Sequence, residues 1–141
     1  MVHTILKLTL FPIIRLWVKQ VNGFENLPKK GAFIVAANHT SYMDHLIIGT
    51  YIIPHFNSKL HFLAKKEHFE NIFQKIWHTY GGAIPIDRQA GGKEALIWAV
   101  KALKEGKIIG IYPEGTRSLT GKLQKAKTGV ARLALATKVP V

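Results

Sequence analysis

Cysteine is absent from this chain of 141 residues. Its absence excludes disulfide bonds, thiolate nucleophiles and zinc sites built on cysteine ligands. Acidic residues are also few, because 8 Asp and Glu stand against 20 Lys and Arg, which gives a formal net charge of +12. A basic surface attracts polyanions, so anionic lipid headgroups, phosphorylated small molecules and nucleic acids are all candidate partners.

The sequence also lacks an uninterrupted apolar run of about 20 residues, the length that spans a bilayer. Its first 18 residues are mostly apolar but contain two charged residues and a proline, and they lack the charge order of a signal peptide. On a helical projection His3, Lys7, Arg15 and Lys19 share one side. This pattern predicts that residues 1–20 form an amphipathic helix in a membrane interface. The alternative is an ordinary helix packed on the domain.

Short apolar runs alternate with helical patterns along the rest of the chain. The predicted strands are Ala32–Ala37, Leu60–Ala64, Ala83–Ile86 and Lys107–Tyr112. The predicted helices are Tyr42–Ile53, ended by Pro54, then Phe69–Tyr80, Leu96–Leu103 and Gly129–Thr137. This alternation predicts an α/β fold, with a mixed, mainly parallel sheet flanked by helices, over residues 21–141. The apolar face of the helix Phe69–Tyr80 is predicted to pack into the core or to line an acyl pocket, and not to stack nucleic-acid bases.

Polar side chains follow three of the predicted strands. Asn38–Asp44 follows the first strand, Asp87–Arg88 the third and Pro113–Ser118 the fourth. Ligands of open α/β sheets bind at the carboxyl ends of the strands. These three segments are therefore predicted to build one site.

His39 and Asp44 are candidates for a catalytic pair. They lie five residues apart, and within one continuous helix they would point about 140° away from each other. They can meet only if His39 precedes the helix and Asp44 lies in its first turn, with Thr40 or Ser41 as the cap. A histidine held by a carboxylate can act as a general base for a substrate hydroxyl. On spacing alone, a structural histidine beside a capping carboxylate is the favoured alternative.

The loop Glu114–Ser118 suits anions. Gly115 allows backbone N–H groups to approach a ligand closely, Thr116 offers a hydroxyl, and Arg117 can grip a phosphate with two hydrogen bonds. The loop is not of the Walker type, and no HExxH or similar metal-binding spacing occurs in the sequence. A metal site is therefore not expected.

Together these blocks resemble the glycerolipid acyltransferases, a family that includes 1-acylglycerol-3-phosphate acyltransferase-like enzymes. The matching blocks are His-x4-Asp within Asn38–Asp44, the strand ending in arginine at Gly82–Arg88, and Tyr112–Ser118. The resemblance runs from about Asn22 to the end of the chain. A fourth family block begins at Val139–Val141 and is not continued, so the chain is expected to be a C-terminally truncated member.

The resemblance implies transfer of a fatty acyl group from a thioester of coenzyme A or acyl carrier protein to the free hydroxyl of lysophosphatidic acid, in phospholipid synthesis. His39 would deprotonate that hydroxyl and Asp44 would orient the imidazole ring. The residues implied around the acceptor phosphate are Lys65, Arg88, Glu114, Gly115, Thr116 and Arg117, with Glu114 supporting the loop. No metal and no cofactor beyond the thioester co-substrate are implied.

Two other functions stay open. One is acylation of glycerol 3-phosphate or of another lysophospholipid, and the other is an inactive membrane- or nucleic-acid-binding fragment. A nucleic-acid partner is not expected, because arginine is scarce and no recognised nucleic-acid motif is present. Acyl thioesters are cytoplasmic and no export signal is seen, so we expect a peripheral enzyme on the cytoplasmic face of an anionic membrane.

Overall fold

The computed structural model describes residues 3–87 and 92–141, and strands alternate with helices in both ranges. The strands are β1 (Ile34–Ala36), β2 (Leu60–Lys65), β3 (Ile84–Ile86) and β4 (Ile108–Ile111). The α-helices are α1 (Thr4–Leu8), α2 (Leu10–Arg15), α3 (Asp44–Phe56), α4 (Ile72–Gly81), α5 (Lys93–Lys104) and α6 (Gly129–Thr137). Two short 3-10 helices, Phe24–Asn26 and Lys66–Phe69, precede β1 and α4.

The four strands form one parallel sheet in the order β1-β4-β2-β3. This confirms the predicted α/β fold, and each strand lies within the sequence run that predicted it or within one residue of it. Beyond β1, on the side away from β4, the N–H of Ile34 donates to the carbonyl of Pro140 over 2.9 Å. Because all strands are parallel, their carboxyl ends meet at one edge, and the predicted site segments begin there.

Apolar clusters cover both faces of the sheet, as a parallel sheet between two helical layers requires. On one face the buried residues are Phe11, Phe33, Ile52, Ile53, Leu60, Phe62 and Ile108. On the other face they are Ile34, Ala99, Ala102, Leu103, Ile109 and Leu133. The helices α2 and α3 therefore pack on one face, and α5 and α6 pack on the other.

The predicted N-terminal helix is not continuous. It is broken at Thr9 into α1 and α2, and Phe11 and Ile14 of α2 are each only 2% exposed. Pro12 lies in the first turn of α2, where its missing N–H leaves no hydrogen bond unmade. His3 is also buried, so it does not belong to an exposed basic side as the sequence predicted.

The predicted end of α3 before Pro54 is wrong, because the helix continues to Phe56. A proline within a helix has no N–H for the carbonyl four residues earlier, here that of Thr50. The guanidinium of Arg15 donates a hydrogen bond to this carbonyl and lies 4.8 Å from the ring of Tyr51. Arg15 therefore ties α2 to α3 through its guanidinium, while the residue as a whole is exposed.

The prediction that the apolar face of α4 packs into the core is also wrong. Ile72, Phe73 and Ile76 are 60%, 79% and 62% exposed. Helical periodicity identifies an apolar face, but it does not supply an element to cover that face. Within the described ranges, no helix is long and apolar enough to cross a membrane.

Candidate active site

His39 and Asp44 meet just beyond the carboxyl end of β1. His39 lies in the loop after the strand, Asp44 is the first residue of α3, and His39 Nδ1 is 2.8 Å from Asp44 Oδ2. The same oxygen accepts hydrogen bonds from the backbone N–H groups of Thr40 and Ser41, each at 2.8 Å. The helix N-cap is Met43 rather than Thr40 or Ser41, but the Ser41 hydroxyl does accept a hydrogen bond from the N–H of Met43 at 3.1 Å. The backbones of Thr40 and Ser41 in turn donate to the Asp44 side chain. The Asp44 carboxylate therefore binds both the backbone of the loop before α3 and the imidazole of His39.

The Asp44 carboxyl group is ionised at neutral pH. Burial opposes its ionisation, but hydrogen bonds from Ser41, His39 and Thr40 outweigh burial and hold the pKa of Asp44 below its ordinary value. Facing an ionised acceptor, Nδ1 of His39 carries the proton, and Nε2 is left as the basic nitrogen. The pair therefore has the electronic arrangement of a general base.

Two aromatic rings back the imidazole. The ring of Tyr112 is stacked on that of His39 with the centroids 3.9 Å apart, and Phe62 is stacked on Tyr112 at 5.1 Å. Gly110 of β4 makes room for this column, because a Cβ at that position would lie 2.4 Å from the Phe62 ring. The Tyr112 hydroxyl is buried without a hydrogen-bond partner among the described residues, and burial, assisted by the charge of Asp44, raises its pKa.

The loop after β4 is joined to the histidine loop by backbone hydrogen bonds. The N–H of Ser118 donates to the carbonyl of His39 at 2.7 Å, and the N–H of His39 donates to Glu114 Oε1 at 3.4 Å. Glu114 is buried, and Gln124 donates to its second carboxylate oxygen at 3.1 Å. Glu114 therefore holds the two loops together.

Gly115, Thr116 and Arg117, which follow Glu114 in this loop, differ in their contacts and in their exposure. Gly115 has a φ of +75°, a conformation that glycine adopts without strain, and a Cβ there would lie 2.9 Å from Lys127 Nζ. Thr116 is exposed. The guanidinium carbon of Arg117 lies 3.5 Å from the ring centroid of Tyr42, whose side chain is itself exposed. Arg117 thus stands over the residues that lead into α3.

One of the predicted phosphate ligands, Lys65, is not brought to this pair. Lys65 ends β2, is exposed, and is separated from β1 by the intervening strand β4. Its neighbour Lys66 is bonded to Asp87 at 2.5 Å. Arg88, also predicted to bind phosphate, lies outside the described residues.

A cleft of about 460 Å³ opens beside His39. Its lining residues are His39, Leu63, Ile86, Gly92, Ala95, Leu96, Gly110, Ile111, Tyr112, Pro113, Gly115, Lys127, Thr128, Gly129, Val130 and Arg132. Sequence reasoning missed the two cations in it, Lys127 and Arg132. The signal that was available is their position, since Lys127 lies two residues before α6 and Arg132 lies in its first turn.

A second, apolar cavity of about 60 Å³ lies between α1, α3, α4 and β2. Three histidines line it, His3, His45 and His78, together with apolar residues that include Trp77 of α4. Burial is the largest cause that lowers the pKa of each of these imidazoles, and nearby positive groups add to the effect. The histidines around this cavity are therefore neutral at neutral pH.

Comparison with known proteins gives one consistent result. A family model described as Acyltransferase matches residues 19–141. The chain is 35% identical over 122 residues to the 1-acyl-sn-glycerol-3-phosphate acyltransferase of Bacillus subtilis, covering 86% of this chain and 59% of that protein. It is 37% identical over 120 residues to the enzyme of the same name from Borreliella burgdorferi, covering 83% of this chain and 46% of that protein.

A solved structure agrees with these relatives. The crystal structure of the 1-acyl-sn-glycerophosphate (LPA) acyltransferase PlsC from Thermotoga maritima is similar, with a TM-score of 0.65 and 29% identity, over 94% of this chain and 56% of that one. The chain thus spans about half the length of the proteins that it matches. With the family model matched over most of its length, the chain belongs to the acyltransferase family.

Proposed function

We propose that this protein transfers a fatty acyl group from an acyl thioester to the free hydroxyl of lysophosphatidic acid. The observation that carries the proposal is the His39–Asp44 pair, joined at 2.8 Å beside a cleft that His39 itself lines. The names of the relatives supply the acceptor, and coenzyme A or acyl carrier protein would supply the thioester.

The arrangement can perform this reaction without a protein nucleophile. Nε2 of His39 takes the proton of the acceptor hydroxyl while its oxygen attacks the thioester carbonyl. Collapse of the tetrahedral intermediate breaks the carbon–sulfur bond, and the imidazolium returns the proton to the departing thiolate. Asp44 stabilises the imidazolium between these two steps. Arg117, with Thr116 and the backbone of Gly115, is the set that would hold the acceptor phosphate, and Lys65 and Arg88 would join it.

Thiol release from a long-chain acyl-CoA tests the proposal. The release is measured with no acceptor, with lysophosphatidic acid, with glycerol 3-phosphate and with other lysophospholipids. We expect release that depends on lysophosphatidic acid, is absent in His39→Ala, and is unchanged in the control His68→Ala, an exposed histidine elsewhere. Release that survives in His39→Ala would overturn the role of the base, and preference for another acceptor would overturn the choice of acceptor.

We also propose a peripheral position on the cytoplasmic face of an anionic membrane. Leu16 and Trp17, which follow α2, are 82% and 75% exposed, and Leu8 of α1 is 76% exposed. Apolar side chains at the end of short helices, in a chain of formal charge +12, suit an interface with anionic headgroups. Because acyl thioesters are cytoplasmic, we propose the cytoplasmic face of the membrane and not the opposite one.

Sedimentation with anionic phospholipid vesicles tests this position. The double variant Leu16→Ser, Trp17→Ser should bind several-fold less protein than the wild type. The matched control is Ile97→Ser, because Ile97 is 63% exposed on α5, at the opposite face of the sheet. Equal loss in both variants would contradict an interface at the N-terminal helices.

A further inference from the structure

The loop of residues 119–125 leaves and rejoins the rim of the cleft beside His39. Pro113 lines the cleft before the loop, and Lys127 lines it after the loop. The N–H of Ser118 donates to the carbonyl of His39 at 2.7 Å, and the N–H of Lys127 donates to the carbonyl of Pro113 at 2.8 Å. The 119–125 loop is therefore held at both ends by residues of the candidate active site.

A side chain of the loop adds a further tie to the site. The amide nitrogen of Gln124 donates to Glu114 Oε2 at 3.1 Å and to the carbonyl of Thr116 at 3.4 Å. Glu114 is buried, and its other carboxylate oxygen accepts a hydrogen bond from the N–H of His39. The neighbours of Gln124 in the loop are thus fixed relative to the base.

Two leucines of the 119–125 loop face solvent. Leu119 is 91% exposed and Leu123 is 81% exposed. A single exposed leucine is ordinary on a protein surface. Two of them in one short loop that is tied down by hydrogen bonds form an apolar patch, and such patches mark surfaces that contact a partner or a membrane.

The charge of this stretch is entirely positive. Residues 115–128 include no acidic residue, and their four cations are Arg117, Lys122, Lys125 and Lys127. Lys122 and Lys125 are exposed and lie on either side of Leu123 in the sequence. Leucines flanked by lysines suit the interface of an anionic bilayer, because the apolar side chains enter the acyl boundary while the ammonium groups stay at the lipid phosphates.

The proposed acceptor requires the site to meet a bilayer. The acyl chain of lysophosphatidic acid lies among the lipid chains, so its free hydroxyl lies at the level of the headgroups. Proton transfer needs this hydroxyl within about 2.6–3.2 Å of Nε2 of His39. Part of the rim of the cleft must then touch the headgroup layer, and the 119–125 loop is a segment of that rim with both apolar and cationic exposed side chains.

We propose that the 119–125 loop docks on an anionic lipid bilayer, with Leu119 and Leu123 inserted and with Lys122 and Lys125 at the lipid phosphates. This inference rests on the proposed acyl transfer to a lipid acceptor. It adds a second membrane contact to the one proposed for the N-terminal helices, and it places the bilayer at the rim of the cleft.

Site-specific fluorescence tests the docking, because a chain without cysteine accepts a single labelled cysteine cleanly. A polarity-sensitive fluorophore is attached to Leu123→Cys and, as the matched control, to Leu135→Cys, which replaces a 69% exposed leucine of α6. Vesicles of phosphatidylglycerol and phosphatidylcholine in equal parts should shift the emission at position 123 to shorter wavelength and leave position 135 little changed. Vesicles of phosphatidylcholine alone should give a clearly smaller shift.

Three outcomes of this experiment would overturn the inference. No shift at position 123, or equal shifts at the two positions, would show that the loop does not enter the bilayer. Equal shifts with anionic and neutral vesicles would remove the role of the lysines. A shift caused by acyl carrier protein and not by vesicles would assign the loop to an acidic protein instead.

Kinetics separates the docking from the chemistry. The double variant Leu119→Ser, Leu123→Ser should raise several-fold the apparent KM for long-chain lysophosphatidic acid presented in the anionic vesicles. Turnover of a short-chain, monomeric lysophosphatidic acid should be unchanged. An unchanged KM in vesicles, or equal losses with both acceptors, would contradict a contact with the bilayer. The fluorescence needs no turnover, so a shift confined to position 123 supports the docking even if the proposed reaction proves wrong.

Discussion

The imidazole of His39 lies almost parallel to the phenol ring of Tyr112, with 9° between the ring planes and 3.9 Å between the centroids. Asp44 holds one edge of the imidazole through Nδ1, and the stacked ring holds its face. These two contacts together fix the direction in which Nε2 points. Position alone can change a rate strongly, because a reacting group that is displaced by about 1 Å can lose about a hundredfold in rate.

Replacement of Tyr112 separates stacking from hydrogen bonding. Tyr112→Leu should lower kcat roughly ten- to a hundredfold with little change in KM, because the imidazole loses its backing. Tyr112→Phe should keep kcat, since the ring remains. It should not lower the stability, since the lost hydroxyl is buried and has no hydrogen-bond partner in the described part of the chain. Steady-state kinetics and urea unfolding measure both. A loss of kcat in Tyr112→Phe would show instead that the hydroxyl takes part in the reaction.

Removal of the charge of Asp44 should slow acyl transfer. Asp44→Asn keeps the size of the side chain but loses the ionised oxygen that accepts three hydrogen bonds. We expect kcat to fall by about a hundredfold or more. The control Glu105→Gln removes an exposed carboxylate that is paired with Lys107, and it should leave kcat unchanged. A similar kcat in Asp44→Asn and wild type would exclude an electrostatic role for Asp44.

The contact between Arg15 and α3 should contribute to stability. Arg15→Met leaves the Thr50 carbonyl, which Pro54 cannot satisfy, without a donor, so we expect a loss of about 1–2 kcal/mol in the free energy of unfolding. In a Pro54→Ala background, the N–H of residue 54 can donate to the Thr50 carbonyl. Arg15→Met should therefore lower the free energy of unfolding clearly less in that background. Urea unfolding of the wild type, the two single variants and the double variant completes the double-mutant cycle. Equal costs in the two backgrounds would show that Arg15 acts through other contacts, such as Tyr51.

Stability should fall as the pH decreases below about 7. Burial lowers the pKa of His3, His45, His61 and His78 from the ordinary value of 6.5. Between 6.5 and the lowered values the unfolded chain binds protons that the folded protein does not. The free energy of unfolding therefore decreases there by up to about 1.4 kcal/mol per pH unit for each full proton.

Urea unfolding at pH 7.5 and pH 5.5 measures this effect. The stability is expected to be lower at pH 5.5, and His45→Phe should show a smaller difference between the two conditions than the wild type. The same difference in both proteins would mean that the other histidines carry the pH dependence.

The sequence predicts the sheet well because buried parallel strands are short apolar runs, and β4 is such a run with Ile108 and Ile109 almost fully buried. The helix Gly129–Thr137 was predicted with its observed bounds. The continuation of α3 past Pro54 could not be predicted, since the compensating donor, Arg15, lies 35 residues before the carbonyl that it serves. Local patterns contain no information about such a distant partner.

Part of the candidate site was predictable because it depends on local sequence patterns. The convergence of His39 and Asp44 follows from a strand end and a helix start, both of which leave local signals. The positions of Tyr112 over the imidazole and of Lys127 over Gly115 depend on how separate loops pack together. A motif shows which residues are chemically capable, but it does not show which of them share a cleft.

Pro85 stands at the centre of β3, the strand at one edge of the sheet, and it is exposed there. Proline has no N–H to donate, so another chain cannot form a regular ladder of hydrogen bonds along this edge. Association of copies by sheet extension is thereby discouraged on that side. In a protein with many exposed apolar residues, Pro85 thus works against aggregation at this edge of the sheet.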